Sequence, residues 1–247
     1  MKKVLRKIVE MVLRPFSADG IGRIAVLIVS AAIKGATPKE ALKTLLNMDN
    51  YIYGMTGHIA VRYGDGNHVK HRLTGYVEYF VELAISVGGP YLDIGCAQGA
   101  ISGELANRTT QKVVGIDQNG EAIDEAKKRF KRSNLEFIEA DATTMEVSGE
   151  FNTIILSNVL EHIDKRVEFL VRLKRIYNPR HWLVRIPNYE RDWRVPLKKE
   201  LNIAYFSDPT HCIEHTPSQF AEEVIGAGLT IKEVEYRWGE MWAVLNS

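Results

Sequence analysis

The sequence predicts an α/β fold: a doubly wound, mostly parallel sheet of seven strands with an antiparallel last strand, behind an N-terminal helical extension. After Pro90, short apolar runs alternate with amphipathic helical segments, which is the pattern of a parallel sheet covered on both faces. The chain ends in two strand-like runs separated only by a turn at Gly239, and such a hairpin makes the last strand antiparallel. Earlier apolar residues recur at helical spacing. We therefore expect an extension over residues 1–75 and a sheet domain over residues 76–247.

Composition and charge narrow the function classes. The chain has 247 residues, 45% hydrophobic and 26% charged, which excludes a disordered, collagen-like or repeat-built protein. Its 32 Lys and Arg residues nearly balance its 31 Asp and Glu residues, and a net charge of +1 gives no general attraction for nucleic acid. Cys96 and Cys212 are too few for a disulfide framework or a four-thiolate metal site, so a reducing, cytoplasmic location is expected.

The first predicted helix, Met1 to Phe16, is amphipathic and basic. One face is rich in Lys and Arg, and the apolar face consists of Leu5, Ile8, Val9, Val12, Leu13 and Phe16. We expect the apolar face to pack against the body of the protein or against a second subunit in a homodimer. Peripheral contact with a membrane surface is the alternative, because cationic interfacial helices have the same pattern.

Two further helices are predicted in the extension. Ile21 to Ile33 is apolar but well short of the ~20 residues that span a bilayer, so we expect a buried helix there. Thr37, Pro38 and Glu40 have the order of an N-cap, a first helical residue and a capping-box partner. They start a helix that runs through Leu46.

A segment rich in Tyr, Gly and His follows at Asn50 to Gly75, with a turn at Gly64 to Asn67. A helix from Tyr76 then ends at Gly88-Gly89-Pro90. The predicted strands are Tyr91 to Ile94, Val113 to Ile116, Leu135 to Ile138, Thr153 to Leu156, Trp182 to Ile186, Thr230 to Arg237 and Met241 to Leu245. The predicted helices of this part are Ala100 to Asn107, Glu121 to Lys131, Val167 to Tyr177 and Pro217 to Ile225.

The turn after the first predicted strand has the composition of a ligand-binding loop. It reads Gly95-Cys96-Ala97-Gln98-Gly99, and small residues there let a ligand approach the start of the next helix. The dinucleotide fingerprint is matched weakly, because Ala97 and Ala100 replace its second and third glycines, and the lysine of a P-loop is absent. Asp93 would repel a pyrophosphate and instead favours a ligand with ammonium or sulfonium charge.

Polar residues follow the next three predicted strands. Asp117 ends the second strand, where a carboxylate can accept from both hydroxyls of a ribose, and Asp141 follows the third, positioned to accept from an adenine amine. The fourth strand leads into Ser157-Asn158-Val159-Leu160-Glu161-His162. Simpler roles stay open for single residues: Asp93 caps the turn, Asp117 caps a helix, and Asp141 is a loop carboxylate. A common ligand explains all three positions together.

The segment from Pro90 to His162 resembles the core of the class I, Rossmann-like methyltransferases that use S-adenosylmethionine. Asp93 with the glycines after it is similar to the first motif of that family, and Asp117 is similar to its ribose-binding acid. The resemblance departs at Ala97, where the family usually has glycine. It implies a cofactor site formed by Asp93, Gly95, Cys96, Ala97, Gly99, Asp117, Gln118, Asp141, Ala142 and Asn158. Cys96 is alternatively a small packing residue.

The resemblance also implies where an acceptor binds. His162 follows the fourth strand and His211 lies in the long connection after the fifth, so these two are the predicted catalytic residues, as bases or orienting groups. Substrate contacts are predicted at His215 and at three residues of a lid over the cofactor: His68, His71 and Arg72. A local structural role is the alternative for each. No CxxC spacing specifies a metal site, so no metal is predicted.

The predicted function is metal-independent methyl transfer from S-adenosylmethionine to a small polar acceptor, such as a sugar, a glycan precursor or a related metabolite. The string Ser157-Asn158-Val159-Leu160 lacks the prolines and aromatic residue that hold a flipped nucleobase, so no nucleic-acid substrate is expected. The alternative is an S-adenosylmethionine-binding interaction protein that docks to a partner or a membrane surface through Met1 to Phe16.

Overall fold

The computed structural model describes residues 2–65 and 68–247, without the side chains of Lys2, Leu5, Arg6, Ile8 and Glu10. Leu5 and Ile8 of the predicted apolar face, and Gly66 and Asn67 of the predicted turn, therefore lie outside the described residues. The α-helices are α1 Lys2–Leu13, α2 Ala18–Ile33, α3 Pro38–Tyr63, α4 Lys70–Thr74, α5 Tyr76–Val87, α6 Ala100–Arg108, α7 Gly120–Arg129, α8 Arg166–Tyr177, α9 Arg194–Glu200 and α10 Pro217–Gly226. The strands are β1 Tyr91–Ile94, β2 Val113–Asp117, β3 Leu135–Glu139, β4 Thr153–Ser157, β5 His181–Pro187, β6 Thr230–Arg237 and β7 Glu240–Asn246.

All seven strands form one sheet in the order β3-β2-β1-β4-β5-β7-β6. Strands β1 to β5 pair in parallel, whereas β7 pairs antiparallel with both β5 and β6. The predicted fold class is confirmed, and each strand boundary lies within about one residue of its prediction. The strand order reverses at β1, and in doubly wound sheets the carboxyl ends of the strands at such a reversal form the ligand-binding crevice.

Helices cover both faces of the sheet. Leu92 and Ile94 of β1 pack on one face with the buried residues of α8 and α10, and Tyr91 packs on the other face with those of α5 and α6. Trp182 belongs to the first of these clusters and Trp242 to the second, and both are fully buried. Because both faces are covered, the central strands carry apolar residues at successive positions rather than alternating ones.

The chain divides into two compact units, each made of two segments: Met1–Thr56 with Lys198–Ala204, and Gly57–Leu197 with Tyr205–Ser247. Within the first unit, Lys198 Nζ lies 2.7 Å from both Asp49 Oδ2 and Asn50 Oδ1. The Asn50 amide donates to the Ala204 carbonyl at 2.8 Å. The second unit contains the whole sheet. The domain boundary predicted after residue 75 stays a prediction.

Helix α2 corrects one prediction. The apolar segment Ile21 to Ile33 is helical as expected, but the expectation that it is buried is wrong. None of the α2 residues is buried, and Val26, Leu27 and Ile28 are 64% to 69% exposed. Aliphatic residues and alanine suffice to form a helix, whereas burial needs an apolar partner surface, and the described residues supply none.

Helix α1 also exposes apolar residues. It ends at Leu13, three residues before the predicted end. Val9, Val12 and Phe16 are at least 45% exposed, so the expectation that they pack against the body of the protein is wrong for these three residues. Contact with a second subunit or a membrane surface stays a prediction. Among the helices of the described residues, none combines the length and the apolar character needed to cross a bilayer.

Helix α3 begins as predicted but is longer. Glu40 Oε2 accepts from the Thr37 amide at 2.9 Å, and the Glu40 amide donates to Thr37 Oγ1 at 3.4 Å, which completes the capping box. The helix then continues to Tyr63, through the first half of the segment rich in Tyr, Gly and His. A glycine inside a helix costs only about 1 kcal/mol relative to alanine, so Gly54 and Gly57 do not end it.

Candidate active site

A cavity of about 710 Å³ lies at the carboxyl ends of β1, β2 and β4. Eleven of the sixteen predicted site residues line it: Asp93, Gly95, Cys96, Ala97, Asp117, Gln118, Asp141, Ala142, Asn158, His71 and His162. Parallel strands end at the same edge of a sheet, and for that reason residues far apart in the sequence meet there.

The loop between β1 and α6 brings its backbone close to the cavity. Gly95, Ala97 and Gly99 have φ values of +71°, +47° and +74°, in the left-handed region. A Cβ atom on Gly95 would lie 2.6 Å from Val159 Cγ2, so a larger residue does not fit there. Ala97 adopts a conformation that costs an L-residue about 1 to 2 kcal/mol, which explains why glycine suits this position. A Cβ atom on Gly99 would lie 2.5 Å from the Phe137 ring, so Gly99 permits close packing of helix and strand.

Asp93 is the most buried acid of the cavity, with 2% of its surface exposed. Ser102 Oγ of α6 donates to its Oδ2 at 2.6 Å. Burial raises the pKa of Asp93 to about 7, and the nearby Asp117 adds to the rise, while the hydrogen bonds from Ser102 oppose it. A cation bound in the cavity would favour the ionised form of this carboxyl.

Asp117 and Asp141 are held by backbone amides at the rim of the cavity. Asp117 Oδ2 accepts from the Ala97 amide at 2.9 Å and Oδ1 from the Asn119 amide at 2.8 Å. The N-cap of α7 is Asn119, so Asp117 does not cap that helix. Asp141 Oδ1 accepts from Thr143 Oγ1 at 2.6 Å and from the Thr143 amide at 2.8 Å, and these bonds lower the pKa of Asp141. Both carboxylates therefore face the cavity in fixed orientations.

A buried arginine that sequence analysis missed also lines the cavity. Arg185 of β5 is 4% exposed, and its Nε and Nη2 donate to Glu240 at 2.7 and 2.8 Å. Its guanidinium lies 4.2 Å from the centre of the Tyr76 ring. A single arginine inside the apolar run of β5 is the signal that would have indicated it, because charged residues are rarely buried without a partner.

His71 also lines the cavity, with its ring 5.4 Å from that of Tyr76 and its side chain exposed. Partial desolvation lowers the pKa of His71 to about 4, and the neighbouring charges of Lys70 and Arg185 lower it further. A ring that is neutral near pH 7 would contact a ligand by hydrogen bonding rather than by charge.

His162 and His211 lie together, as the sequence prediction requires. Their ring centroids are 4.7 Å apart at an angle of 80°. His162 is exposed on the cavity wall, with Nδ1 3.0 Å from Thr210 Oγ1. His211 is buried behind it, and burial, followed by the proximity of His162, lowers the pKa of His211 to about 4. Glu161, which sequence analysis places beside His162 as an orienting or binding group, is fully buried next to them, and burial raises its pKa to about 8.

Comparison with known proteins decides the family. Residues 85–216, slightly more than half of the chain, match a family model described as a methyltransferase domain. The chain belongs to this methyltransferase family. The ubiquinone biosynthesis O-methyltransferase of Schizosaccharomyces pombe is 30% identical over 118 residues, 46% of this chain and 43% of that protein. The (S)-coclaurine N-methyltransferase of Thalictrum flavum is 32% identical over 102 residues, 39% and 28% of the two chains. The methyltransferase thus spans less than half the length of these relatives.

Solved structures show the same fold. Magnesium protoporphyrin IX methyltransferase from Synechocystis, crystallised with S-adenosylhomocysteine, superposes with a TM-score of 0.58 at 16% identity, over 72% of this chain and 84% of that one. An S-adenosylmethionine-dependent methyltransferase from Mesorhizobium loti gives 0.55 at 13% identity, over 69% and 96%. The methyltransferase therefore has the class I fold. The methyl donor of this class of enzymes is S-adenosylmethionine.

The cavity of the methyltransferase fits this cofactor. The acids Asp93, Asp117 and Asp141 supply acceptors for a positively charged ligand with hydroxyl and amine groups. Asn158 Oδ1 is buried without a hydrogen-bond partner among the described residues, as expected of an acceptor meant for a ligand. Because Gly95 lacks a side chain, the loop backbone is accessible at that point.

Four predicted site residues lie away from the cavity and its wall. Gly99 packs α6 against the sheet, as described above. His68 and Arg72 line a second cavity of about 990 Å³, which shares His71 and other residues with the first. His215 is fully buried, with Nε2 2.9 Å from Glu223 Oε2, so the structure places it in the interior rather than at the acceptor site.

Proposed function

We propose that the methyltransferase transfers a methyl group from S-adenosylmethionine to a small polar acceptor, such as a sugar, a glycan precursor or a related metabolite. The observation that carries this proposal is the mixed lining of one cavity. Acids from three strand ends line it, together with hydrogen-bonding and cationic groups: Lys70, His71, Tyr76, His162, Arg185 and Thr210. The acids suit the cofactor and the second group suits an oxygen-rich acceptor, so we call the part of the cavity that the second group lines the acceptor side.

The residues of the chain act mainly by positioning. The bound cofactor supplies a methyl group on a positively charged sulfur, which already makes it reactive toward nucleophiles. Asp117 would accept from the ribose hydroxyls, Asp141 from the adenine amine, and Asp93 would stabilise positive charge near the buried end of the cavity. Fixing the reactants in the correct geometry and excluding water are then the chief contributions to the rate.

On the acceptor side, His162 is the residue best placed to accept a proton. Its Nδ1 is engaged by Thr210, so its Nε2 is the nitrogen that can act as a base toward an acceptor hydroxyl. His211 does not line the cavity and would act through His162. We therefore keep His162 as the proposed base and treat His211 as a positioning residue.

Titration with S-adenosylhomocysteine tests the cofactor side without knowledge of the acceptor. We expect saturable binding of one molecule per chain. Asp117→Asn should weaken it about 10- to 100-fold, since a hydrogen bond to a charged group contributes about 1.5 to 3 kcal/mol. Asp124→Asn, which changes an exposed aspartate of α7, is the matched control and should bind normally. Absence of saturable binding, or equal affinities of the two variants, would contradict the proposal.

The acceptor class needs its own experiment, because one structural neighbour is a small RNA methyltransferase. Transfer of a labelled methyl group would be measured with pools of polar metabolites, with RNA and with DNA. The net charge of +1 supports the metabolites, so we expect label in the small-molecule fraction. Label confined to RNA or DNA would overturn the proposed acceptor class.

Exposed apolar residues in α1 and α2 favour a second candidate function, an S-adenosylmethionine-binding protein that docks to a membrane surface or a partner. This candidate predicts cofactor binding without turnover. Anionic vesicles should co-sediment the full chain, and Val12→Asp should weaken that association. Gel filtration of the same two proteins tests the proposed homodimer. A cytoplasmic location stays a proposal, consistent with the two free thiols of Cys96 and Cys212.

A further inference from the structure

Three side chains that can bind a metal ion lie close together at the edge of the acceptor side. Glu161 and His162 lie in the short helical turn after β4, and His211 lies in the connection between α9 and α10. One ligand atom from each lies within 4.8 Å of the other two. We call these three residues the Glu161 cluster.

Glu161 is the unusual member of the cluster. Its side chain is fully buried, and neither carboxylate oxygen accepts a hydrogen bond of normal geometry from the described residues, although the Asn158 side chain and the Glu161 backbone amide lie near enough to act on it. Burial of an unpaired carboxylate costs several kcal/mol, so such groups in folded proteins are met by a proton, a cation or a metal ion. The carboxylate thus lacks the partner that its burial requires.

The hydrogen bonds of His162 determine which nitrogen carries its lone pair. Thr210 Oγ1 donates its single proton to Asp208 Oδ1 at 2.6 Å. The same oxygen lies 3.0 Å from His162 Nδ1, so it accepts there and Nδ1 carries the hydrogen. Nε2 of His162 is left as a lone-pair donor.

His211 has the same tautomer for a similar reason. Its Nδ1 lies 3.4 Å from Glu214 Oε1, and Glu214 also accepts from Arg191 and from the Ser207 amide. A carboxylate that accepts from these groups cannot donate, so His211 Nδ1 carries the hydrogen and Nε2 carries the lone pair. Both imidazoles are thus oriented from behind by an oxygen partner, as metal-bound histidines usually are.

We infer that the Glu161 cluster binds a divalent transition-metal ion. Two imidazole nitrogens and one carboxylate oxygen form a donor set that zinc takes in catalytic sites, where a fourth position stays open. Ligands at about 2.1 Å from the ion lie roughly 3.4 Å apart in tetrahedral geometry, so ligand atoms that are now up to 4.8 Å apart must approach by as much as about 1.4 Å. The exposed side chain of His162 has the freedom for this movement.

The open position defines the ligand class. His162 and Thr210 line the cavity, whereas Glu161 and His211 are buried behind them, so the ion would be reached from the acceptor side. The ion would hold an oxygen of the acceptor. This role rests on the proposed function, whereas the binding of the metal ion does not depend on it. This inference departs from the predicted metal independence, because the fold brings His211 beside Glu161 and His162 from a distant part of the sequence. An ion on His162 Nε2 would also occupy the lone pair that the proposed base needs, so with the ion bound His162 would be a ligand and not the base.

The experiment is a calorimetric titration of the full-length chain with zinc after removal of metal by a chelator. Wild type should bind one ion per chain. Glu161→Gln and His211→Asn should each weaken binding at least about 100-fold, more than the loss of an outer-shell partner. His58→Asn, an exposed histidine of α3, is the matched control, and Cys212→Ser tests the thiol near the His162 carbonyl. Both controls should bind as wild type does.

A second measurement keeps the result interpretable. Every variant is titrated with S-adenosylhomocysteine, and unchanged affinity shows that Glu161→Gln and His211→Asn are folded. If Glu161→Gln does not fold, His211→Asn decides. A metal-free cluster with a protonated Glu161 predicts no saturable zinc binding and a normal Glu161→Gln protein, which would overturn the inference. Equal zinc affinities of wild type and the cluster variants would overturn it too. Failure of S-adenosylhomocysteine binding in wild type would count against the proposed function alone.

Discussion

The substitution Gly95→Ala adds one methyl group and so tests how closely the loop after β1 packs against the residues after β4. It lowers the free energy of unfolding in two ways. The φ of +71° lies in the left-handed region, where an L-residue loses about 1 to 2 kcal/mol. The new Cβ would lie 2.6 Å from Val159 Cγ2, and relief of such an overlap typically costs about 1 to 3 kcal/mol. The free energy of unfolding should therefore fall by about 2 to 5 kcal/mol.

Urea unfolding of four proteins separates the two costs: wild type, Gly95→Ala, Val159→Ala and the double variant. Val159→Ala removes the methyl group in the way, so the second substitution should cost only the backbone strain, about 1 to 2 kcal/mol, in that background. The reasoning is wrong if Gly95→Ala stays within about 0.5 kcal/mol of wild type. It is also wrong if the substitution costs the same in both backgrounds, since that shows no overlap with Val159.

Three other predictions concern the same site. Ala97→Gly should raise the free energy of unfolding, measured with urea, by about 0.5 to 1 kcal/mol. Glycine removes the strain of the positive φ of +47°, and the greater conformational entropy of the unfolded chain offsets part of this gain. A lower urea midpoint would contradict this prediction. Folding raises the pKa of Asp93 from 3.8 to about 7. Between these two pH values Asp93 is protonated in the folded chain and ionised in the unfolded chain, so the free energy of unfolding should fall from about pH 4 to pH 7, by up to roughly 4 kcal/mol. Asp93→Asn should remove that slope, and parallel pH profiles of unfolding would refute the assignment. Glu240→Gln should lower stability by about 2 to 3 kcal/mol, because it leaves the Arg185 charge buried with a neutral partner, and thermal unfolding at matched pH checks this.

The sheet and the cofactor side could be predicted because their signals are local. The central strands β1, β2, β4 and β5 are short runs of mostly buried apolar residues, as expected of strands that are covered on both faces. Asp93 lies one residue before the end of β1, Asp117 ends β2 and Asp141 lies two residues beyond β3, so knowledge of a parallel sheet is enough to bring them to one edge.

The acceptor side of the cavity could not be predicted in the same way, because the path of the chain through the fold determines which of its residues contact each other. Arg185 meets Glu240 only because β7 folds back beside β5, and Glu161 meets His211 through a connection of irregular path. His215 lies four residues beyond His211 but enters the interior. Helix α2 shows a further limit, because burial of an apolar segment depends on a partner surface rather than on its own composition.

A crystal structure of the full chain with S-adenosylhomocysteine tests the central claim most directly. We predict that the ligand fills the 710 Å³ cavity, with its ribose hydroxyls on the Asp117 carboxylate and its adenine beside Asp141. A ligand bound outside this cavity, or an Asp117 side chain turned away from the ribose, would contradict the assignment of the strand ends as the cofactor site.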